Sequence, residues 1–409
     1  MANNNKHTGP NVPALRFPEF SGEWEKFRVS DFIEFFPTNS LSWDQLEYRG
    51  AGLLNLHYGM IHNGLPVQVD VSKNALPSIK EDYYPKKYTL CKEGDIAFAD
   101  ASEDTNDVGK AIEFNNCAGK SIVCGLHTIH GRDRLGLTSI GFKGYLFSSK
   151  VYHDQIKSIA QGTKVFSIKA SNFDEVILGL PKKEEQKKIL SLLMTIDDRI
   201  LTQSKIIEEL TTLRSALLEK VFQVSNPTLE VGAIAHQTSE RNKLCRYSNV
   251  LSVSNRFGFI NQSEQFEDRN VASDDVRNYK VVHRGDFSYN PARINVGSIA
   301  MLKNFESGIV SPMYICFQVD DTIVDPSFFE LFLETKAFKD EMEIRLEGSV
   351  RRCLSFEALC EIHLPRPALL VQRSISDKIG NISSKIKLED RILRAYIRQK
   401  EWLLKQMFI

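Results

Sequence analysis

The sequence carries no net charge, no C-x-x-C pair and no long apolar run, and each absence removes a class of protein. Lys+Arg and Asp+Glu both number 52, so charge alone marks the chain neither as a basic nucleic-acid binder nor as an acidic one. Apolar residues at 42% and charged residues at 25% are ordinary for a folded chain, which excludes disorder and collagen-like repetition. No stretch approaches the roughly 18 apolar residues of a membrane span. The polar opening from Met1 to Pro10 lacks the apolar core of a signal peptide and reads as a disordered tail, so the expected location is the cytoplasm. The seven cysteines (Cys91, Cys117, Cys124, Cys245, Cys316, Cys353, Cys360) are odd in number and scattered. That excludes a small disulfide scaffold and fits reduced thiols. Cys360 and His363 have ligand-like spacing with Cys353 nearby, but no second pair completes a zinc set, so no metal site is expected.

Catalytic signatures are missing as well. An adenine methyltransferase needs an Asn/Asp-Pro-Pro-aromatic loop to stack a flipped base. Asn290-Pro291-Ala292-Arg293 lacks both the second proline and the aromatic ring. There is no Gly-x-Gly-x-x-Gly and no Gly-x4-Gly-Lys-Ser/Thr, so no phosphate-cradling loop is expected. His127-Thr-Ile-His130 places two histidines on opposite faces if it is a strand, which argues against a shared metal.

What the chain does have is a long internal repeat. Gln186 to Phe222 lies over Gln372 to Phe408 at a constant offset of 186 without gaps. Ile189, Leu193, Ile196, Ile200, Ile207, Leu210 and Leu217 fall on Ile375, Ile379, Ile382, Ile386, Leu393, Tyr396 and Leu403, and Val221 falls on Met407. The steps of four and three are a heptad pattern. Two heptad positions are polar in both copies, Gln203 with Glu389 and Arg214 with Lys400. Each copy follows a Leu-Pro start, Leu180-Pro181 and Leu364-Pro365, where proline suits the first helical turn. Two helices of about 57 Å, at about 1.5 Å per residue, are therefore expected to pair antiparallel. Their midpoints would bring Gln203 near Glu389, either as a polar seam pair that fixes register or as two side chains exposed where the coil locally widens.

The regions before the helices repeat more loosely. Val29-x-x-Phe32 resembles Val231-x-x-Ile234, Tyr88-x5-Gly94-Asp95-Ile96 resembles Tyr279-x5-Gly285-Asp286-Phe287, and Val108-Gly109 resembles Val296-Gly297. Short alternating strands with polar turns precede a helical stretch in each copy. The order is domain, long helix, domain, long helix.

That order and these residues resemble the specificity subunit of type I restriction-modification systems. The resemblance rests on Val12-Pro-Ala-Leu-Arg-Phe-Pro-Glu-Phe20 with Gly22-Glu23-Trp24, on the two Leu-Pro helix starts with Gln186 and Gln372, on Glu93-Gly94-Asp95-Ile96 and Arg284-Gly285-Asp286-Phe287, and on Gly348 to Phe356. It covers essentially the whole chain from Asn11 onward. It implies an α+β fold: two globular α/β target recognition domains separated by two long antiparallel coiled-coil helices with a pseudo-twofold repeat. The expected boundaries are a flexible tail at 1–20, the first recognition domain at 21–180, a spacer helix at 181–223, the second domain at 224–364 and the second helix at 365–409. The resemblance further implies double-stranded DNA with a bipartite target, two methyltransferase subunits and, in the full complex, restriction subunits. S-adenosylmethionine, ATP and magnesium would sit on those partners, with no cofactor and no catalysis on this chain. The alternative is a coiled-coil protein-interaction scaffold without DNA specificity.

The charge distribution is less neutral than its total. From Arg366 onward there are ten Lys/Arg against four Asp/Glu, so the second helix is basic. In the second domain the candidate DNA contacts are Tyr289, Asn290, Arg293 and Asn295, since arginine reads guanine and asparagine reads adenine in bidentate fashion. Ser349, Arg351 and Arg352 form a second group and Arg256 a third. In the first domain the candidates are His57, Tyr58, His62 and Asn63 in a glycine-bounded segment, Ser102, Glu103 and Thr105 in an acidic loop, and His127 and His130. An acid there would accept from cytosine N4 rather than touch phosphate. Ordinary turn and core roles are the competing assignment for each.

Overall fold

The computed structural model describes residues 11–48, 52–223, 228–262, 275–348 and 352–409. The chain divides into two compact units, Met1–Gln203 with Ile392–Ile409, and Ser204–Arg391.

The first unit is built on a five-stranded sheet in the order Ile33–Phe36, Thr128–Asp133, Ile96–Ala99, Ala111–Asn116, Gln68–Asp70. All its pairings are antiparallel except the last. The central strand Ile96–Ala99 is buried throughout because it serves two cores. Side chains alternate across a strand, so Ile96 and Phe98 join one apolar cluster while Ala97 and Ala99 join another. The two small residues leave room for a second layer, Leu54–Leu56 and Ile122–Cys124, which pair in parallel.

The second unit repeats the frame. Its sheet runs Ala235–Thr238, Ile315–Val319, Phe287–Tyr289, Ile299–Met301, the same order as the first four strands above. Phe287 and Tyr289 face one cluster, and Ser288 faces the other way toward Cys316 Sγ at 3.4 Å. Outside the sheets, Glu25–Arg28 pairs with Ile177–Leu180, and Thr228–Glu230 pairs with His363–Pro365. Val29 and Val231, aligned by sequence, are fully buried and each donates its N–H back to the residue range before a long helix, Val176 and Ile362 respectively.

The motif Gly-Asp explains itself in both copies. Gly94 and Gly285 have positive φ (82° and 95°), a conformation that favours glycine. The following aspartate is buried and caps the same turn: Asp95 accepts from Lys92 N, and Asp286 from His283 N, both at 2.8 Å.

The long helices are Lys183–Gln223 and Leu369–Gln406. Each is fastened to its own unit by the repeated glutamine. Gln186 accepts the Ser139 N–H at 2.7 Å and donates to the Leu137 and Pro181 carbonyls at 2.9 Å. Gln372 accepts the Asp325 N–H at 2.9 Å and donates to the Ile323 and Pro367 carbonyls at 3.3 and 2.8 Å. Both glutamines are fully buried.

Within the first unit, Ile189, Leu193 and Ile196 pack in one core with Leu403, Met407 and Phe408. Early residues of one helix meet late residues of the other, so the segments run antiparallel. Within the second unit, Leu218 and Phe222 share a core with Ile379, and Ile375 packs on its edge. Ile200 is partly buried against the first core. Ile207, Leu210, Ile382, Ile386, Leu393 and Tyr396 are half-buried. Gln203 and Glu389 are buried polar residues, at 8% and 7% exposure. The other repeated polar pair resolves into ion pairs: Lys400 with Asp197 at 2.6 Å in the first unit, Arg214 with Glu334 at 2.8 Å in the second.

Two expectations are corrected. Leu217 is 36% exposed and Leu218, at 4%, takes the seam. A straight helix drifts about 20° per strict heptad, and over this length the buried stripe steps to Leu218 and Phe222. Residues 11–20 are not a free tail. Leu15 and Phe17 pack on the first core, Leu15 N donates to the Gln406 carbonyl at 2.9 Å, and Arg16 forms a buried ion pair with Glu185 at 2.7 Å. Their apolar and charged side chains each find a partner, which a free tail could not supply. Residues 1–10 lie outside the described residues.

Candidate nucleic-acid interface

In the second unit the hairpin Leu251–Ser254 with Gly258–Asn261 ends in Asn255-Arg256-Phe257. Gly258 at φ 65° closes the three-residue turn, a common hairpin solution. Phe257 is 64% exposed, and the Arg256 guanidinium lies over its ring at 5.2 Å. Beside the tip runs the short helix Pro291–Val296, ended by Gly297 at φ 87°. A side chain at Gly297 would touch Asn255 Cβ at 3.4 Å, so tip and helix abut. Arg293 and Asn295 are exposed on that helix. Asn290 is spent on structure: its carbonyl oxygen caps Ala292 N at 3.1 Å, and its amide donates to Sδ of exposed Met313 at 3.9 Å. The result is one face carrying two arginines, asparagines and an exposed aromatic ring.

Tyr289 is not on that face. It is fully buried, its hydroxyl donates to the Leu354 carbonyl at 3.3 Å, and burial pushes its pKa far up. Arg352 is exposed but ion-paired with Glu343, whose carbonyl it also reaches at 2.9 Å. Ser349 and Arg351 lie outside the described residues.

In the first unit the candidates converge more closely. Tyr58 opens the short helix Tyr58–His62. Its ring meets His62 at 5.8 Å and His127 at 5.1 Å. His127, at φ 54°, directs Nδ1 to Asp100 Oδ1 at 3.0 Å. His62 Nε2 donates to the Ala101 carbonyl at 3.0 Å, and Ser102 Oγ accepts from Asp104 N at 3.1 Å. Asn63 and Glu103 are exposed and Thr105 is half-buried. Asp100 follows the strand Ile96–Ala99 as Asn290 follows Phe287–Tyr289, so the two faces occupy the same place in the repeat. Their chemistry differs: imidazole, phenol and carboxylate in one, arginine and amide in the other.

Two first-unit candidates are displaced to the interior. His57 is the cap of the Tyr58 helix, accepting Gly59 N at 3.1 Å, with its ring 4.4 Å from Trp43. Burial, and secondarily electrostatic repulsion from His127, push its pKa down. His130 is fully buried with Nε2 on Asp95 Oδ2 at 2.7 Å. It alternates inward along a strand whose two faces are both covered. Asp95 also takes two hydrogen bonds from Arg132 at 2.7 Å. Burial opposes its ionisation, but Arg132 and His130 outweigh burial and hold its pKa below the usual carboxylate range.

The sequence reading missed Asn255, Phe257 and Met313, while Asp100 opens the acidic loop that it singled out. Arg256-Phe257-Gly258 offered a signal, an aromatic residue at a turn, whereas Met313 offered none.

Among known proteins, residues 136–212 match the family described as the type I restriction modification DNA specificity domain. The chain is 25% identical over 277 residues to the specificity subunit of the type I restriction enzyme MjaVIII of Methanocaldococcus jannaschii, over 60% of this chain and 64% of that relative. It is similar to the crystal structure of the type I restriction-modification S subunit from M. genitalium, with TM-score 0.58, 16% identity, and coverage of 97% of this chain and 99% of that one. A chain from a structure of type I R-M complex assembly aligns with TM-score 0.55 and 14% identity, over 93% and 96% of the two chains. At these identities the solved structures establish the fold. Among the described residues, no helix is long and apolar enough to cross a membrane.

Proposed function

We propose that this chain is a type I restriction-modification specificity subunit, the DNA-reading, non-catalytic component of such a complex. Each unit reads one half of a bipartite DNA target, and the long helices set the unspecified gap. Two methyltransferase subunits dock on this chain and carry S-adenosylmethionine. Restriction subunits, with ATP and magnesium, complete the assembly. The absence of a methyltransferase loop in the sequence agrees with catalysis residing on those partners.

One observation carries the proposal. A sheet of common strand order recurs in both units, while the residues at the corresponding strand ends diverge, Asp100 and His127 in one and Arg293 and Asn295 in the other. A repeated frame with two different polar faces suits two different half-sites. Arg293 or Arg256 would read guanine and Asn295 adenine, while Asp100 would accept from cytosine N4. Phosphate contacts from the basic second helix and from the partner subunits would hold register without reading sequence.

The test is N6-methyladenine mapping in cells expressing this chain with its methyltransferase subunit. A motif of two short halves around a fixed gap is expected. Soluble, associated proteins that methylate no defined motif would favour the scaffold alternative. Inserting four residues beside Gln203, about one helical turn, should lengthen the gap, and an unchanged gap would remove the ruler role.

A further inference from the structure

The interior of the first unit holds a cluster that the DNA-reading role does not use. Cys91 precedes the strand Ile96–Ala99, Cys124 ends Ile122–Cys124, and His130 lies on Thr128–Asp133. All three are buried, and one potential ligand atom from each lies within 4.8 Å of the others. The two sulfurs are 3.6 Å apart. Tetrahedral zinc with Zn–S near 2.3 Å would set them about 3.8 Å apart, whereas a disulfide would need about 2.05 Å. His130 Nε2 is engaged by Asp95 at 2.7 Å, and its Nδ1 is buried with no hydrogen-bond partner. An unpaired buried ring nitrogen is costly. A lone pair on Nδ1, with Nε2–H held by a carboxylate, is the arrangement of a metal-ligating histidine and its supporting acid.

We propose that Cys91, Cys124 and His130 form a binding site for a thiophilic divalent cation of the zinc class. Two thiol S–H bonds are broken, their protons leave to solvent, and two sulfur–metal bonds and one Nδ1–metal bond form, with no change in oxidation state. The metal would tie Cys124 to His130 across the segment from Gly125 to Ile129, which presents His127 at positive φ to the surface cluster. The sequence hid the set because its members are spread over 40 residues with no paired spacing.

The test is cobalt(II) titration of the full-length, reduced protein. A thiolate-to-cobalt charge-transfer band saturating at one equivalent, and bleached by zinc, is expected. The Cys91→Ala/Cys124→Ala variant should lose the band, and Cys245→Ser, at an exposed thiol, should keep it. No band in the wild-type protein would overturn the proposal whether or not the variants fold. So would an unchanged band in the double variant, or a Cys91–Cys124 disulfide in place of bound metal.

Discussion

Replacing Gln186 by leucine should destabilise the first unit selectively, and the repeated glutamine provides its own control. Leucine fills most of the same volume but strands the Ser139 N–H and the Leu137 and Pro181 carbonyls, all of which Gln186 now satisfies at 2.7–2.9 Å. A buried polar group left unpaired costs about 1–3 kcal/mol. Three such groups, partly relieved by local movement, amount to roughly 3–6 kcal/mol. With a urea m-value of about 3 kcal/mol/M for a unit of this size, the midpoint should fall by about 1–2 M. All three tryptophans, Trp24, Trp43 and Trp402, belong to the first unit. Intrinsic fluorescence therefore reports that unit, while far-ultraviolet circular dichroism reports both. Gln186→Leu should move the fluorescence transition. Gln372→Leu should move the dichroism transition and leave fluorescence nearly in place. Equal movement of fluorescence by both variants, or a shift under about 1 kcal/mol for Gln186→Leu, would refute the latch argument.

Other perturbations test separate parts of the scheme. Arg293→Ala should weaken reading of one half-site by about 1–3 kcal/mol, or roughly 10- to 100-fold, measured by competition with half-site variants; equal loss on unrelated DNA would make it a phosphate contact. Leu193→Ala should cost about 2–5 kcal/mol and Leu217→Ala within about 0.5 kcal/mol in chemical denaturation, and comparable costs would restore the strict heptad. Asp95→Asn should be destabilising at neutral pH. Because the folded Asp95 pKa is lowered, its contribution is complete above the unfolded value and fades as pH falls through the folded one. The difference between wild type and variant should therefore shrink in acid, and a pH-independent difference would assign the loss to shape alone.

The long helices were legible in the sequence because an unbroken heptad over nearly forty residues has few other solutions. The mistake at Leu217 came from the same signal, since a 3.5-residue count ignores the drift of a real helix. The sheets were legible only in outline. Their central strands are covered on both faces, so alternation does not announce an exposed side. That is why His130 and Tyr289, polar types beside promising turns, proved to be interior. Arg256, Arg293 and Asn295 kept their exposure because they sit on turns ended by glycines with positive φ, Gly258 and Gly297. His57 misled for a different reason: a polar ring capping a short helix and packed beside an indole is spent locally. The convergence of Tyr58, His62, Asp100 and His127 depends on long-range strand pairing, which no local pattern encodes.

The hydrogen bond from Leu15 to Gln406 gives the fold a cyclic topology. In the second unit, Gln223 is joined to Thr228 through four residues of chain; in the first, the corresponding passage from the end of a long helix to the Glu25–Arg28 strand is made by a non-covalent meeting of chain segments. A circular permutant that joins those segments by a short linker and opens between Gln223 and Thr228 should retain both sheets, both glutamine latches and both polar faces. It would carry the same two polar faces in the opposite order along the chain, so the genetic order of the faces and their chemistry are separable.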